Sequence, residues 1–394
     1  MIVVIPCFNE PDLVSSLKSL SVCHLPQKKV EVIVVINSGE HHSAEIKKQN
    51  QKSLSEMNDW LKEIDQKSIS FKSILVDNLP AKHAGVGLAR KIGMDEAVFR
   101  FEKINHDGII ICFDADSLCD PNYLIEIEKH FQKNQKTPGC SIYYEHPILG
   151  DEYPAEIYQA ITQYELHLRY YNQALRFCKL PYAFHTVGSS MAVRSSAYQK
   201  QGGMNKRKAG EDFYFLHKII SLGNFSELNS TRVIPSPRIS DRVPFGTGKA
   251  IGDYVSKQDQ QYHTYNFKSF ELINEWVEKI PELFKSDFEN LHWTENNKSA
   301  SEQLSNFLES ENFREALTEI RKNSPTLESF VKRFYVWFDA FRVLKLVHYL
   351  RDVIYSDSPV NLESELLLTR LGLNAKSNNG VDLLHTFRAY ERVV

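Results

Sequence analysis

The first 116 residues alternate short apolar runs with amphipathic stretches, and this alternation constrains the fold more than any other feature. Ile2 to Ile5 is a continuous apolar run closed by Pro6. Val30 to Ile36 is a second, β-branched run closed by Asn37-Ser38-Gly39. Ile69 to Val76 is a third. Gly108 to Phe113 is a fourth, and it leads straight into Asp114-Ala115-Asp116. Between them the spacing predicts helices. One starts at Pro11, where Leu13, Val14, Leu17 and Leu20 fall at helical intervals; others cover Ser43 to Ile64 and Gly87 to Phe99. Four strands alternating with helices predict an α/β fold, a mostly parallel sheet covered on both faces. Such sheets bind ligands beyond the carboxyl ends of their strands. Asn9-Glu10, Asn37-Ser38 and Asp114/Asp116 all fall at those ends, so residues distant in sequence become one candidate cleft.

The middle of the chain is mixed. Ser141 to His146 and Ser190 to Arg194 read as strands, Ala155 to Cys178 and Gly210 to Leu222 as helices. Beyond Tyr254 strand signals vanish. Amphipathic segments follow one another at Phe267 to Phe284, Ala300 to Ile320, Leu327 to Tyr355 and Leu362 to Leu371. The expected organisation is an α/β domain over residues 1–255 and an all-α domain over 256–394. Phe334, Tyr335, Trp337, Phe338, Phe341, Leu344 and Val347 are too many for one narrow stripe. On a helix they read as the buried centre of a bundle, with contact to an anionic membrane surface as the alternative.

Composition excludes several classes. Lys+Arg number 47 against 50 Asp+Glu, so the chain has no global attraction for nucleic acid. The apolar start carries no basic region, and Asn9-Glu10 cuts it too short for a signal peptide. No stretch reaches the length of a spanning helix. The six cysteines include no C-x-x-C pair and the 14 histidines no H-E-x-x-H, so reduced thiols are the expectation. These features point to a cytoplasmic protein, soluble or peripheral at the inner face of a membrane.

Asp114 and Asp116 stand one residue apart at the end of a buried strand. Two carboxylates there repel each other, and a hard cation such as Mg²⁺ or Mn²⁺ relieves that repulsion and can hold a diphosphate on its open side. The alternative is a polar turn in which Asp116 caps the next helix. Glu211-Asp212 opens a predicted helix, where a carboxylate is either a cap or a general base for an acceptor hydroxyl. Gly85-Val86-Gly87 reads as a close-packed helix start, with Lys82 and Arg90 available to a phosphate or a base. Arg238, Arg242 and Phe245-Gly246-Thr247-Gly248-Lys249 form a basic, glycine-bearing segment. It is either a lid over a diphosphate or an interdomain loop.

The ordered set resembles a family 2 glycosyltransferase of the GT-A fold over roughly residues 1 to 250. The carriers are Val3-Val4-Ile5-Pro6-Cys7-Phe8-Asn9-Glu10, Val34-Val35-Ile36-Asn37-Ser38-Gly39 and Gly87-Leu88-Ala89-Arg90. Phe113-Asp114-Ala115-Asp116-Ser117, Asp120-Pro121-Asn122-Tyr123-Leu124, Val187 to Arg194 and Gly210-Glu211-Asp212 complete them. The resemblance implies a nucleotide-sugar donor, a divalent metal and inverting transfer to an acceptor hydroxyl of a saccharide or a lipid-linked acceptor. Asp116 would ligate the metal, and Asp114 the metal or the ribose. Asp212 would be the base, and Pro6, Phe8 and Glu10 would border the nucleotide. Arg242 or Lys249 would stabilise the leaving diphosphate. Members of the family commonly carry Asp where Asn37 stands, and that Asp can read a uracil, so Asn37 leaves the base open between UDP-sugar, the first expectation, and GDP-sugar, the second. A sugar nucleotidyltransferase and a non-catalytic scaffold are the competing readings. The former usually opens with a glycine-rich basic loop, and Pro6 to Pro11 has neither glycine nor cation.

Overall fold

The computed structural model describes residues 1–64, 68–242, 246–257, 261–285 and 298–393. The chain divides into two compact units. The first comprises Met1–Ile161, Phe184–Lys257 and Glu391–Val394; the second comprises Thr162–Ala183 and Gln258–Tyr390.

The first unit opens with β1 (Ile2–Cys7), α1 (Leu13–Ser21), β2 (Val30–Gly39), α2 (Ala44–Leu61), β3 (Ile69–Leu79), α3 (Val86–Lys103) and β4 (Ile109–Cys112). It continues with β5 (Leu118–Cys119), α4 (Tyr123–Lys133), β6 (Gly139–Tyr144), the start of α5 (Ala155–Phe177), β7 (Met191–Arg194) and α6 (Ser195–Lys200). α7 (Glu211–Ile220), β8 (Ser226–Ile234) and α8 (Thr247–Ser256) follow. Among the described residues, eight strands form one sheet in the order β3-β2-β1-β4-β7-β6-β8-β5. β3, β2, β1 and β4 are parallel, as the alternation predicts. Val3, Val4, Ile5 and Val32 to Ile36 are fully buried, which explains why these strands read as unbroken apolar runs. β7 then runs antiparallel to β4, and β6 antiparallel to β7. The expected GT-A class, a mostly parallel sheet flanked by helices, is the class observed.

Five elements of this unit escaped the pattern: β5, α4, α6, β8 and α8, the last of them a helix in the segment read as a lid or loop. β8 is polar in sequence, and only Leu228, Thr231 and Val233 are buried along it. α4 buries Tyr123, Leu124, Ile127 and Phe131 at helical spacing, but charged residues interrupt the run.

The second unit is helical apart from one short pair of strands. It contains β9 (His263–Thr264), α9 (Phe267–Lys279), a 3₁₀ turn (Ile280–Phe284), α10 (Lys298–Ser310), α11 (Phe313–Lys322) and α12 (Leu327–Trp337). α13 (Ala340–Val353), β10 (Ser358–Pro359), α14 (Val360–Arg370) and α15 (Gly380–Val393) follow. β9 and β10 pair antiparallel, which corrects the strand-free expectation. The segment read as one helix over Leu327 to Tyr355 is two. Asp339 ends the first and caps the second, its carboxylate accepting from the Arg342 amide at 3.0 Å. Of the aromatic-rich run, Phe334, Phe338 and Val347 are buried, while Tyr335, Trp337, Phe341 and Leu344 are half-buried. Trp276 is fully buried, with the rings of Phe313, Phe334 and Phe338 at 6.2, 5.7 and 4.5 Å. No helix of the described residues is long and apolar enough to cross a membrane.

Glu165 is buried in this unit with Arg169 and Arg388, both guanidinium groups donating to its carboxylate at 2.7 to 2.8 Å. Glu165→Gln removes a buried carboxylate that two buried guanidinium groups share. The expected cost is about 3 kcal/mol or more, read as a lowered urea midpoint of the full chain.

Candidate active site

The site grows from the carboxyl ends of β1, β2 and β4. Asp114 and Asp116 occupy the turn after β4, with side-chain exposures of 37% and 30%. That turn is fastened to α1. The Ser16 hydroxyl donates to the Ser117 carbonyl at 2.6 Å, and the Ser19 hydroxyl accepts from the Cys119 amide at 2.8 Å.

Arg90 is the buried centre of one half of the site. Its residue is only 2% exposed, and its guanidinium donates to Asp114 Oδ1 at 2.7 Å and to Glu211 Oε1. It therefore ties the end of β4 to the start of α7, two elements almost a hundred residues apart. Space for it is made by Gly188, where a Cβ would lie 2.8 Å from the guanidinium. Gly87 plays the corresponding part on α3. A Cβ there would lie 2.2 Å from the Arg207 carbonyl oxygen, so the loop before Glu211 could not close.

Asp212 follows in the first turn of α7, after Gly210 in a left-handed conformation at φ 67°. Its carboxylate accepts from the Phe213 amide at 2.8 Å. Burial pushes its pKa up; the Arg90 charge opposes this and Asp114 adds to it. Burial raises Glu211 as well, again against Arg90. Asp116 is pushed up to about 6 by burial, with Arg238 opposing and Asp114 and Glu10 reinforcing.

The other half is built on Glu10, which is 1% exposed. Arg238 donates to both of its oxygens, through Nη1 to Oε1 at 2.8 Å and through Nη2 to Oε2, and Nη2 also meets Asp116 Oδ2 at 2.8 Å. Arg242 reaches Glu10 Oε2 at 3.2 Å and donates to the Asn9 carbonyl at 2.6 Å. Asn9 holds that carbonyl in position at φ 50°, a conformation that Asn tolerates better than most residues. Arg238 belongs to the basic segment singled out in the sequence, yet its double contact with Glu10 and Asp116 has no local signature. The structure thus gathers Arg90, Asp114 and Glu211 in one cluster and Glu10, Asp116, Arg238 and Arg242 in a second, joined by the Asp114–Asp116 turn, with Asp212 next to Glu211 in the first turn of α7.

Pro6 and Phe8 are half-buried at the end of β1. The Phe8 ring lies 4.6 Å from that of His42, a neighbour the sequence gave no reason to single out. His42 Nδ1 accepts from the Gly39 amide at 2.8 Å, so Nε2 carries the proton of the neutral ring. Asn37 is buried at the end of β2; its carbonyl accepts from Asn50 Nδ2 at 2.8 Å, and its Oδ1 accepts nothing among the described residues. Lys82 is exposed in the turn before α3. Lys249 lies on α8 and pairs with Asp253 one turn on at 2.6 Å rather than with the carboxylate network. Phe245 lies outside the described residues.

The charge balance bears on the metal. When ionised, Glu10, Asp114, Asp116, Glu211 and Asp212 outnumber the guanidinium groups of Arg90, Arg238 and Arg242 by two. The raised carboxyls of Asp116, Glu211 and Asp212 show that the network resists holding all those charges. A diphosphate alone would add to the excess; a dication removes it. The groups that could hold a hard cation are the two partly exposed carboxylates of Asp114 and Asp116. Such a set suits a Mg²⁺ or Mn²⁺ ion completed by substrate phosphates and water.

The model of the glycosyl transferase family 2 matches residues 2–202, just over half of the chain. No curated protein sequence matches the chain. Among solved structures, residues 1–349 of TarS from S. aureus in complex with UDP-GlcNAc are 13% identical. That alignment covers 100% of this chain and 91% of that one, with a TM-score of 0.42. The mannosyltransferase PcManGT from Pyrobaculum calidifontis, in complex with GDP-Man and Mn²⁺, is 14% identical. It aligns over 100% of this chain and 86% of its own, with a TM-score of 0.37.

Proposed function

Because the chain belongs to glycosyl transferase family 2 and is a glycosyltransferase, we propose that it transfers a sugar from a nucleoside diphosphate donor to an acceptor hydroxyl, with inversion and with Asp212 as general base. The observation that carries this reading is the Arg90 bridge. It fixes the start of α7, and with it Asp212, against the Asp114-Ala115-Asp116 turn. This supports a reading in which a base and a metal-diphosphate site share one reaction centre.

Asp212 takes the proton of the acceptor hydroxyl as its oxygen attacks the anomeric carbon. The bond from that carbon to the diphosphate breaks as the new bond forms, so a single displacement inverts the centre. A raised carboxyl is a stronger base than an ordinary one, which suits the role. Arg238, which meets Asp116, and Arg242, which meets Glu10, stabilise charge growing on the leaving diphosphate. Asp114 and Asp116 would hold a divalent metal, which supplies Lewis-acid stabilisation of the same charge. Pro6, Phe8 and Asn37 border the nucleotide, with UDP as the first expectation. The acceptor is a saccharide or a lipid-linked sugar.

The test is calorimetry with UDP, GDP, CDP and ADP, each with and without Mn²⁺. Binding of one nucleotide, tenfold or more tighter with Mn²⁺, is the expected result. Equal affinity for all four, or none with or without metal, overturns the reading.

A further inference from the structure

Cys23 and Cys119 are 96 residues apart in sequence, and their sulfurs lie 3.6 Å apart. No step of the proposed transfer uses them. Cys23 lies just beyond α1 and Cys119 in β5, the strand at the edge of the sheet. Ser19 touches both. Its hydroxyl is 3.4 Å from the Cys119 sulfur and its carbonyl 3.5 Å from that of Cys23.

The two thiols have unequal surroundings. The Cys23 sulfur lies 3.7 Å from the Asp120 carbonyl, beside the start of α4 and the amides of Leu124 and Tyr123. Helix N-termini stabilise thiolates. Contact with Cys119, followed by those two amides, holds the Cys23 thiol below its ordinary range in spite of burial. The Cys119 thiol is pushed well above it, first by donating toward Cys23 and then by burial. One sulfur is thus prepared to attack, and the other waits as a thiol within reach. Cys119 is partly exposed, which leaves a path for a small oxidant.

We propose that Cys23 and Cys119 are a redox-active dithiol, a modification site that closes to a disulfide on reaction with a hydroperoxide. The Cys23 thiolate attacks one peroxide oxygen; an S–O bond forms, the O–O bond breaks, and the leaving oxyanion takes up a proton. The Cys119 sulfur then attacks the sulfenic sulfur of Cys23. The S–S bond forms, the S–O bond breaks, and water departs with the Cys119 proton. The two thiols lose two electrons, and the peroxide gains them.

Closure shortens the sulfur–sulfur distance from 3.6 Å to about 2.05 Å. Cys119 lies three residues beyond Asp116, in the turn that Ser16 and Ser19 hold on α1. Oxidation therefore strains the donor-binding turn, a consequence that rests on the proposed function, whereas the dithiol itself does not.

The experiment treats the full chain with hydrogen peroxide and reads free thiols, peptide masses and nucleotide affinity. Two of the six thiols should be lost. A peptide linking Cys23 to Cys119 should appear about 2 Da lighter than its reduced parts, and dithiothreitol should restore both thiols. Cys119→Ser should stop at a sulfenic acid on Cys23 that dimedone traps, and Cys23→Ser should form no link. Mn²⁺-dependent UDP affinity of the wild-type chain should fall threefold or more on oxidation and recover on reduction. Peroxide that oxidises other cysteines without producing the link overturns the dithiol. A link that leaves UDP affinity unchanged overturns its coupling to the turn. Absence of UDP binding in the reduced protein counts against the donor site, not against the dithiol.

Discussion

Asp212→Asn should lower kcat by roughly 100-fold or more, with donor affinity within about twofold of wild type. The amide keeps the shape of the side chain and can still accept from the Phe213 amide at 2.8 Å, so α7 should start as before. What it loses is basicity. The residue lies in the first helical turn, where a cap and a base occupy the same place, and this substitution separates the two. Stopped-flow or coupled-assay kinetics with saturating donor give kcat; calorimetry gives the donor affinity. Normal turnover would reduce Asp212 to a helix cap. A matching loss of donor binding would instead place it among the nucleotide ligands.

Asp116→Asn should move two quantities in opposite directions. Mn²⁺-dependent binding of the nucleoside diphosphate should disappear, because one of the two carboxylates offered to the metal is gone. The metal-free protein should become more stable at pH 7.5. The sign follows from the folded-state carboxyl, raised from 3.8 to about 6 by burial, with Asp114 and Glu10 adding to it. The folded chain holds this proton more tightly than the unfolded chain, so ionisation opposes folding. The penalty is absent below about pH 4 and fully present above about pH 6. A shift of about two units is worth about 3 kcal/mol, and partial solvent access reduces that to about 1 kcal/mol. Arg238 keeps Glu10 as a partner in the variant. Urea denaturation at pH 4 and pH 7.5 measures the stability. A variant that is less stable at pH 7.5 and still binds nucleotide with Mn²⁺ would sink the account. Such a trade of stability for charge is common where function demands crowded carboxylates.

Much of the fold was legible in the sequence. The strands β1, β2 and β4 are buried, so they are written as nearly unbroken apolar runs, β3 at the sheet edge is half-exposed, and the helices between them are amphipathic repeats. That alternation is enough to imply the parallel half of the sheet and to place Glu10, Asn37, Asp114 and Asp116 at one edge of it. The loss of strand patterning beyond Tyr254 was legible for the same reason, although residues 162–183, which precede it, fall in the second compact unit. Asp212 was legible because a glycine followed by two acids marks a helix start. By contrast, β8 carries a polar sequence and is defined by its neighbours. The break at Asp339 depends on a cap winning over an apolar run that could have continued as helix. The β9–β10 pair and the dithiol have no local signal at all.

The sequence by itself determined four strands of a mostly parallel sheet, the ends at which chemistry could sit, and the residue types that reach those ends. Only the tertiary structure decided which charges meet. Arg90 could have served a phosphate; instead it is buried between Asp114 and Glu211, through space that Gly87 and Gly188 leave open. Lys249 could have met the same carboxylates; instead it pairs with Asp253 on its own helix, and Arg238 takes that place on Glu10 and Asp116. The physical reason is one of range. Hydrophobic periodicity is a local property, written every two or every 3.6 residues along the chain. A buried ion pair depends on the distance between side chains from separate elements, and that distance exists only after the sheet and helices have packed.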